Sequence, residues 1–193
     1  MTANGAASEA FTLQVVWDNM HVLTTCDLTQ SSQSSSPSGS GGSCGSIVTH
    51  ADGTRVTIGS PAVPGEEIVI YAVGLGQTIP AVKTGEATPP VAPVPAAYYG
   101  LIVQFDFRPN AGPSHPYYDV LQYGPSAAFI GLTPGEVGLY QVNIRLPDSF
   151  PQTPRCNLIK SPQGWDVAFS NLTINLQGAN STDGAAICVK VPN

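Results

Sequence analysis

A chain of 193 residues is long enough for one sizeable domain, able to bury about 70 % of its unfolded surface. Hydrophobic residues make up 42 % and charged ones only 10 %, against about 25 % charged in an ordinary globular domain, so Ser, Thr, Asn, Gln, Gly and Pro must build the surface. The net charge is −6, and the seven basic residues scatter from Arg55 to Lys190. That leaves no basic patch for nucleic acid or an anionic membrane surface, and no apolar run approaches the roughly 20 residues that span a bilayer.

In chain order, residues 1–10 are small and polar and read as a linker or tail, with a single domain expected over 11–193. Phe11, Leu13, Val15 and Trp17 alternate with Thr12, Gln14 and Val16, the period-two pattern of a half-buried strand. Asp18-Asn19 breaks it, and Val22 to Cys26 resumes it. The Ser/Gly-rich stretch at 29–43 has nothing to bury and reads as a flexible loop. Ile47 to Thr49, a turn at Asp52-Gly53 and a strand from Arg55 to Ile58 follow. After a turn at Pro64-Gly65, the segment Glu67 to Val73 is the most strand-like in the chain, closed by Gly74-Leu75-Gly76.

Residues 77–97 are Pro-rich and are expected to run extended over the surface. Leu101 to Phe107 is another strand, with Leu101, Val103, Phe105 and Phe107 on one face, and a loop dense in Pro and Tyr covers 108–126. Ala127 to Gly131, a turn at Pro134-Gly135, and Gly138 to Leu146 come next. Residues 147–166 are irregular and hold Cys156 and Trp165. Val167 to Phe169, Leu172 to Leu176 and Ala186 to Val191 complete the set. Short strands, no helical periodicity, 20 Gly and 18 Pro give an all-β class, with an antiparallel β-sandwich carrying long Pro/Gly-rich loops as the expected architecture.

The four cysteines allow three connectivities, of which the local pairing, Cys26 with Cys44 and Cys156 with Cys188, is the expected one. No CxxC or Cys-His spacing competes for them, so an oxidising, extracellular compartment is the simpler setting. Met1 to Gly5 has neither the basic start nor the apolar stretch of a signal peptide, which a piece of a longer secreted protein would explain.

Two segments carry more than generic β character: Pro64 to Gly76, with Ile68-Val69-Ile70-Tyr71 leading into Gly74-Leu75-Gly76, and Gly131 to Pro147, with its Pro134-Gly135 turn before Tyr140. Together they resemble the uncharacterised C-terminal domain family of acidobacterial, Solibacter-type extracellular proteins, over about residue 44 to the C-terminus. The resemblance implies an immunoglobulin-like sandwich of the early-set kind at the end of a long secreted protein, with neighbouring domains as partners and no catalytic residues to transfer. The N-terminal strand pair, the Ser/Gly loop and the insertions at 77–97 and 108–126 depart from the short form of that family. Independently of it, Tyr140 opens an alternating strand just after a Pro-Gly turn, where a sandwich can use a tyrosine corner.

Chemistry is sparse. Gly41-Gly42-Ser43-Cys44-Gly45 satisfies G-x-S-x-G, yet a nucleophile elbow needs a strand before the serine and a helix after it, and neither context is present. His21, His50 and His115 share no ligand spacing, so no metal and no cofactor are expected. Asp106, Asp119 and Asp166 stand in aromatic company but read as solvated loop acids, and Asn180 to Gly184 as a polar turn lacking the carboxylates of a calcium loop. The aromatic cluster Tyr98, Tyr99, Tyr117, Tyr118 and Tyr123, with Trp165, falls in or beside the Pro-rich insertions, where rings pack, meet a neighbouring domain, or stack on sugars. The expected function is therefore non-catalytic: a secreted module for display, adhesion or assembly. One alternative is carbohydrate or protein binding through Tyr98, Tyr99, Tyr117, Tyr118 and Trp165. Another is a filament or surface-layer subunit in which Phe11 to Trp17 adds to a neighbour's sheet.

Overall fold

The computed structural model describes residues 2–3, 6–7, 20–25, 27, 46–96, 100–106, 121–123, 128–148, 159–160, 166–176, 179–180 and 186–190. Its strands are β1 (Thr2–Ala3), β2 (Ala6–Ala7), β3 (His21–Val22), β4 (Val48–His50), β5 (Glu67–Val73), β6 (Thr78–Ile79), β7 (Val94–Pro95) and β8 (Leu101–Asp106). Then follow β9 (Leu121–Tyr123), β10 (Phe129–Leu132), β11 (Tyr140–Arg145), β12 (Ile159–Lys160), β13 (Asp166–Leu176), β14 (Ala179–Asn180) and β15 (Ala186–Lys190). Two antiparallel sheets result, one built on β5 and one on β13, with short ribbons β1–β2 and β6–β7 beside them. The expected strand at Phe11 to Trp17, the loop at 29–43 and residues 108–120 and 124–126 of the expected loop at 108–126 lie outside the described residues, whereas Leu121–Tyr123 within that loop forms strand β9.

Alternation explains the first sheet. Ile68, Ile70 and Ala72 of β5 are fully buried, and the register sets them beside Ile144, Val142 and Tyr140 of β11. Strands β3 and β4 lie end to end on the other edge of β5, with Val22 opposite Ala72 and Val48 opposite Ile70. In the second sheet β13 carries β8 along its second half and β15 along its first. Leu101, Val103, Ile174, Ile187 and Val189 from this sheet join the β5 side chains in one buried cluster, so the two sheets pack face to face as a β-sandwich. Each such side chain contributes on the order of 1.5–3 kcal/mol through burial. A parallel bridge between Ala62 and Val189, with Lys190 N–H donating to the Ala62 carbonyl at 2.7 Å, ties the two sheets together at one end.

Several elements differ from the sequence expectation. Val22 to Cys26 is not a continuous strand: after β3 only Thr24 bridges to Ser46, and Thr25 and Asp27 are helical. Arg55 to Ile58 shortens to a bridge at Arg55, because Thr57 and Ser60 bond each other's backbone in a tight turn. The two strands expected at 167–169 and 172–176 are one, β13. Within the expected tail, β1 and β2 pair with each other.

The 77–97 insertion also departs from a free extended run. It returns on itself through β6 and β7 and docks on the β10–β11 hairpin. Thr88, buried, donates from both its N–H and its hydroxyl to the Glu136 carbonyl (2.9 and 2.8 Å), and Gly135 N–H donates back to the Thr88 carbonyl. Leu132 N–H donates to the Pro93 carbonyl at 2.9 Å. This approach requires Gly131: a Cβ there would stand 3.0 Å from both the Pro93 carbonyl oxygen and Phe129 Cζ.

The end of β5 is fixed by a second glycine device. Gly74 and Gly76 adopt φ of 78° and 87°, conformations that L side chains resist, and the double reversal turns Leu75 into the core at 1 % exposure. Tyr140 closes this corner by donating its hydroxyl to the Gly76 carbonyl, 64 residues upstream, at 2.5 Å. The bond therefore joins two neighbouring strands, whereas a corner of the antibody type reaches only a few residues back. Burial pushes the Tyr140 hydroxyl above the ordinary phenol range.

Two substitutions test these joints. Gly131→Ala is expected to lower stability by about 1–3 kcal/mol through overpacking and to speed hydrogen exchange at the Leu132 amide. Unchanged urea unfolding with a fully protected Leu132 amide would refute the close approach. Tyr140→Phe is expected to cost about 1 kcal/mol, read by the shift in urea midpoint at constant slope.

Candidate functional site

Among the described residues, chemistry-bearing side chains converge at one rim of the first sheet. His50 ends β4 opposite Ile68, so strand alternation puts its ring on the core-facing side, beside Val48. The chain then turns through Asp52-Gly53, where Asp52 accepts from the Thr54 N–H (2.9 Å) and hydroxyl (2.6 Å). These bonds hold the Asp52 carboxyl below the usual carboxylate range. The hairpin returns through Val56, whose N–H donates to the Val48 carbonyl, and the turn at Thr57 to Ser60 brings Ser60 back over the His50 ring. Glu66 stands just before β5, its position fixed by Leu146 N–H donating to its carbonyl at 2.7 Å.

The result is a serine, a histidine and a carboxylate in line. Ser60 Oγ lies 3.2 Å from His50 Nε2, and His50 Nδ1 lies 3.1 and 3.2 Å from the two carboxylate oxygens of Glu66. The Ser60 carbonyl oxygen is also 3.1 Å from Nε2. The histidine and glutamate side chains are only 15 % and 21 % exposed, whereas Ser60 is exposed. Nucleophile, base and orienting group are thus in their usual order. An oxyanion hole is not formed by the serine's own neighbourhood. Ser60 N–H is bonded to Thr57, at 3.2 Å from its carbonyl and 3.1 Å from its hydroxyl, and the next residue, Pro61, has no N–H to offer.

A second cluster lies around Asp27. Asp27 Oδ2 accepts from the Thr24 N–H (2.6 Å) and hydroxyl (2.8 Å), in the manner of a capping box, and stands 2.8 Å from His21 Nε2. Partial burial pushes its carboxyl up, but the Thr24 N–H, the His21 ring and the Thr24 hydroxyl together outweigh burial and hold it below the usual range.

Most of the residues singled out from sequence are not placed by this geometry. Tyr98, Tyr99, Tyr117, Tyr118 and Trp165 lie outside the described residues, as do Cys26, Cys44, Cys156, Ser43, His115 and Asp119. Tyr123 and Cys188 fall in β9 and β15, and Asp106 and Asp166 in β8 and β13. One observation bears on the cysteines. Thr24 and Ser46 form an antiparallel bridge, flanked by Ile47 N–H donating to the Leu23 carbonyl at 2.6 Å. The two chain segments therefore meet two residues short of Cys26 and of Cys44. Ser60 and Glu66 were not candidates from sequence: they sit 10 and 16 residues from His50, and no motif has that spacing. Among the described residues no group of three His, Cys, Asp or Glu is poised for a metal ion, and no helix is long and apolar enough to cross a membrane.

No protein-family model, curated protein or solved structure matches the chain. The chain folds as an antiparallel β-sandwich.

The Asp27 geometry fixes a sign for acid stability. Because its folded carboxyl titrates below the unfolded one, its stabilisation is complete above the ordinary carboxylate value, about 3.9, and is lost as pH falls through the lower folded value. A carbon-detected titration should place the Asp27 midpoint below that of a random-coil aspartate, and His21→Asn should raise it. A midpoint at or above the random-coil value would contradict the Thr24 and His21 contacts.

Proposed function

We propose that the chain is a non-catalytic β-sandwich module of an extracellular, oxidising setting, serving display, adhesion or assembly as part of a larger protein. The observation that carries this reading is the Thr24–Ser46 bridge. Thr24 lies two residues before Cys26 and Ser46 two residues after Cys44, so the bridge joins the chain segments that lead to these two cysteines. A cross-link there would close the Ser/Gly-rich stretch at 29–43 into a loop anchored on β3 and β4. The non-catalytic part is supported by the Ser60-Pro61 backbone: Ser60 N–H is held by Thr57 and Pro61 has no N–H, so neither donates to a tetrahedral oxyanion. The resemblance of residues 64–76 and 131–147 to the extracellular acidobacterial family points the same way.

Non-reducing peptide mapping of protein made in an oxidising compartment tests the setting. Peptides joined through Cys26 and Cys44 are expected, and free thiols at both would remove its main support. A glycan and polysaccharide screen tests the role. Saturable binding that disappears in Tyr117→Ala, Tyr118→Ala and Trp165→Ala would replace the display module with a carbohydrate-recognition module.

A further inference from the structure

The Ser60–His50–Glu66 cluster has a chemical consequence beyond fastening a hairpin. The Glu66 carboxylate accepts hydrogen bonds only, so in the neutral ring the proton belongs on Nδ1, 3.1 Å from Glu66 Oε1. That leaves the Nε2 lone pair facing Ser60 Oγ at 3.2 Å, the arrangement in which an imidazole removes a hydroxyl proton. The Ser60 carbonyl, 3.1 Å from Nε2, is a poor neighbour for a lone pair but a good one for an N–H. Once the ring has taken the serine proton, both its N–H groups find acceptors, Glu66 on one side and the Ser60 carbonyl on the other. The exposed Ser60 side is open to a reagent.

We propose that Ser60 is a histidine-activated acyl acceptor, which takes one acyl group from an activated ester and retains it. In the step, Ser60 Oγ bonds to the acyl carbon and the bond from that carbon to the leaving oxygen breaks. The serine proton passes to His50 Nε2 and from there to the departing oxygen, so no other co-reactant is needed. Acylation from an aryl ester is aided by its good leaving group. Removal by water must expel a serine alkoxide, a far poorer leaving group than an aryl oxide, through a second tetrahedral oxyanion, and the backbone of Ser60 and Pro61 donates to neither oxyanion to offset that difference. The two steps are therefore unequal, and the serine ester accumulates. Ser60 becomes a site of covalent attachment on a module that does not turn over, a conclusion that does not depend on the state of the cysteines.

The test is to treat the full chain with p-nitrophenyl acetate, following nitrophenolate release, intact mass and the position of the adduct by peptide mapping. One equivalent should be released in a burst, with one acetyl on Ser60 and no steady release above buffer. Ser60→Ala removes one contact of the hairpin, since the Ser60 carbonyl still faces His50 Nε2, and should still fold and unfold cooperatively while forming no such adduct. His50→Gln should slow the burst by about 100-fold or more, the contribution of a positioned general base. Acetylation spread over lysines and unchanged in Ser60→Ala would overturn the proposal. Sustained turnover lost in Ser60→Ala would also overturn it, and with it the non-catalytic reading.

Discussion

Burial of the inner row of β5 is the constraint from which the architecture follows. Ile68, Ile70 and Ala72 are at 0 % exposure, and they stay so only if β11 flanks them on one edge and β3 and β4 share the other. A one-residue slip on either edge would turn Val142 and Ile144, or Val22 and Val48, out of the core. The joints around β5 guard that register. Gly65 N–H donates to the Pro147 carbonyl and Leu146 N–H to the Glu66 carbonyl at its start, and the Tyr140 hydroxyl holds the Gly76 carbonyl past its end. Even the flap at 77–97 depends on it, since Thr88 docks on a hairpin that β11 positions.

What was legible in the sequence is what alternation and turn chemistry write locally. Glu67 to Val73 and Gly138 to Leu146 read as strands because their apolar residues recur every second position, and Asp52-Gly53 and Pro134-Gly135 read as turns because Gly53 and Gly135 supply positive φ. The Ser170-Asn171 pair looked like a break in β13. It lies inside the strand because Asn171 pairs on both edges, with Asp106 and with Ala186, where one neighbour hands over to the other. Thr24 and Asp27 carry capping-box spacing, but the β-branched run around them read as strand.

Apart from the corner at Tyr140, whose partner Gly76 the sequence does not name, long-range polar contacts were not legible. Thr88 and Glu136 are 48 residues apart, and nothing in a Pro-rich stretch announces which carbonyl will meet it. The candidate site shows the same limit. His50 was one of three histidines without ligand spacing, and its partners became visible only once β4 was registered on β5 and the 51–59 hairpin had folded back.

The rim where His50 sits admits few other solutions. Its ring lies on the inner face beside Val48 and Ile68, so a polar side chain there must either leave the core edge open or find partners for both nitrogens. Glu66 satisfies one nitrogen and Ser60 the other, which closes the edge and fastens the hairpin to the start of β5. The same two contacts fix the tautomer and aim the free lone pair at an exposed hydroxyl. Fastening and activation are therefore one geometry seen from its two ends: a ring held firmly enough to close the sandwich edge is also held firmly enough to act as a base. On the far side of the serine, Thr57 occupies one backbone N–H and Pro61 has none, so neither of these two residues can donate to an oxyanion formed at Ser60.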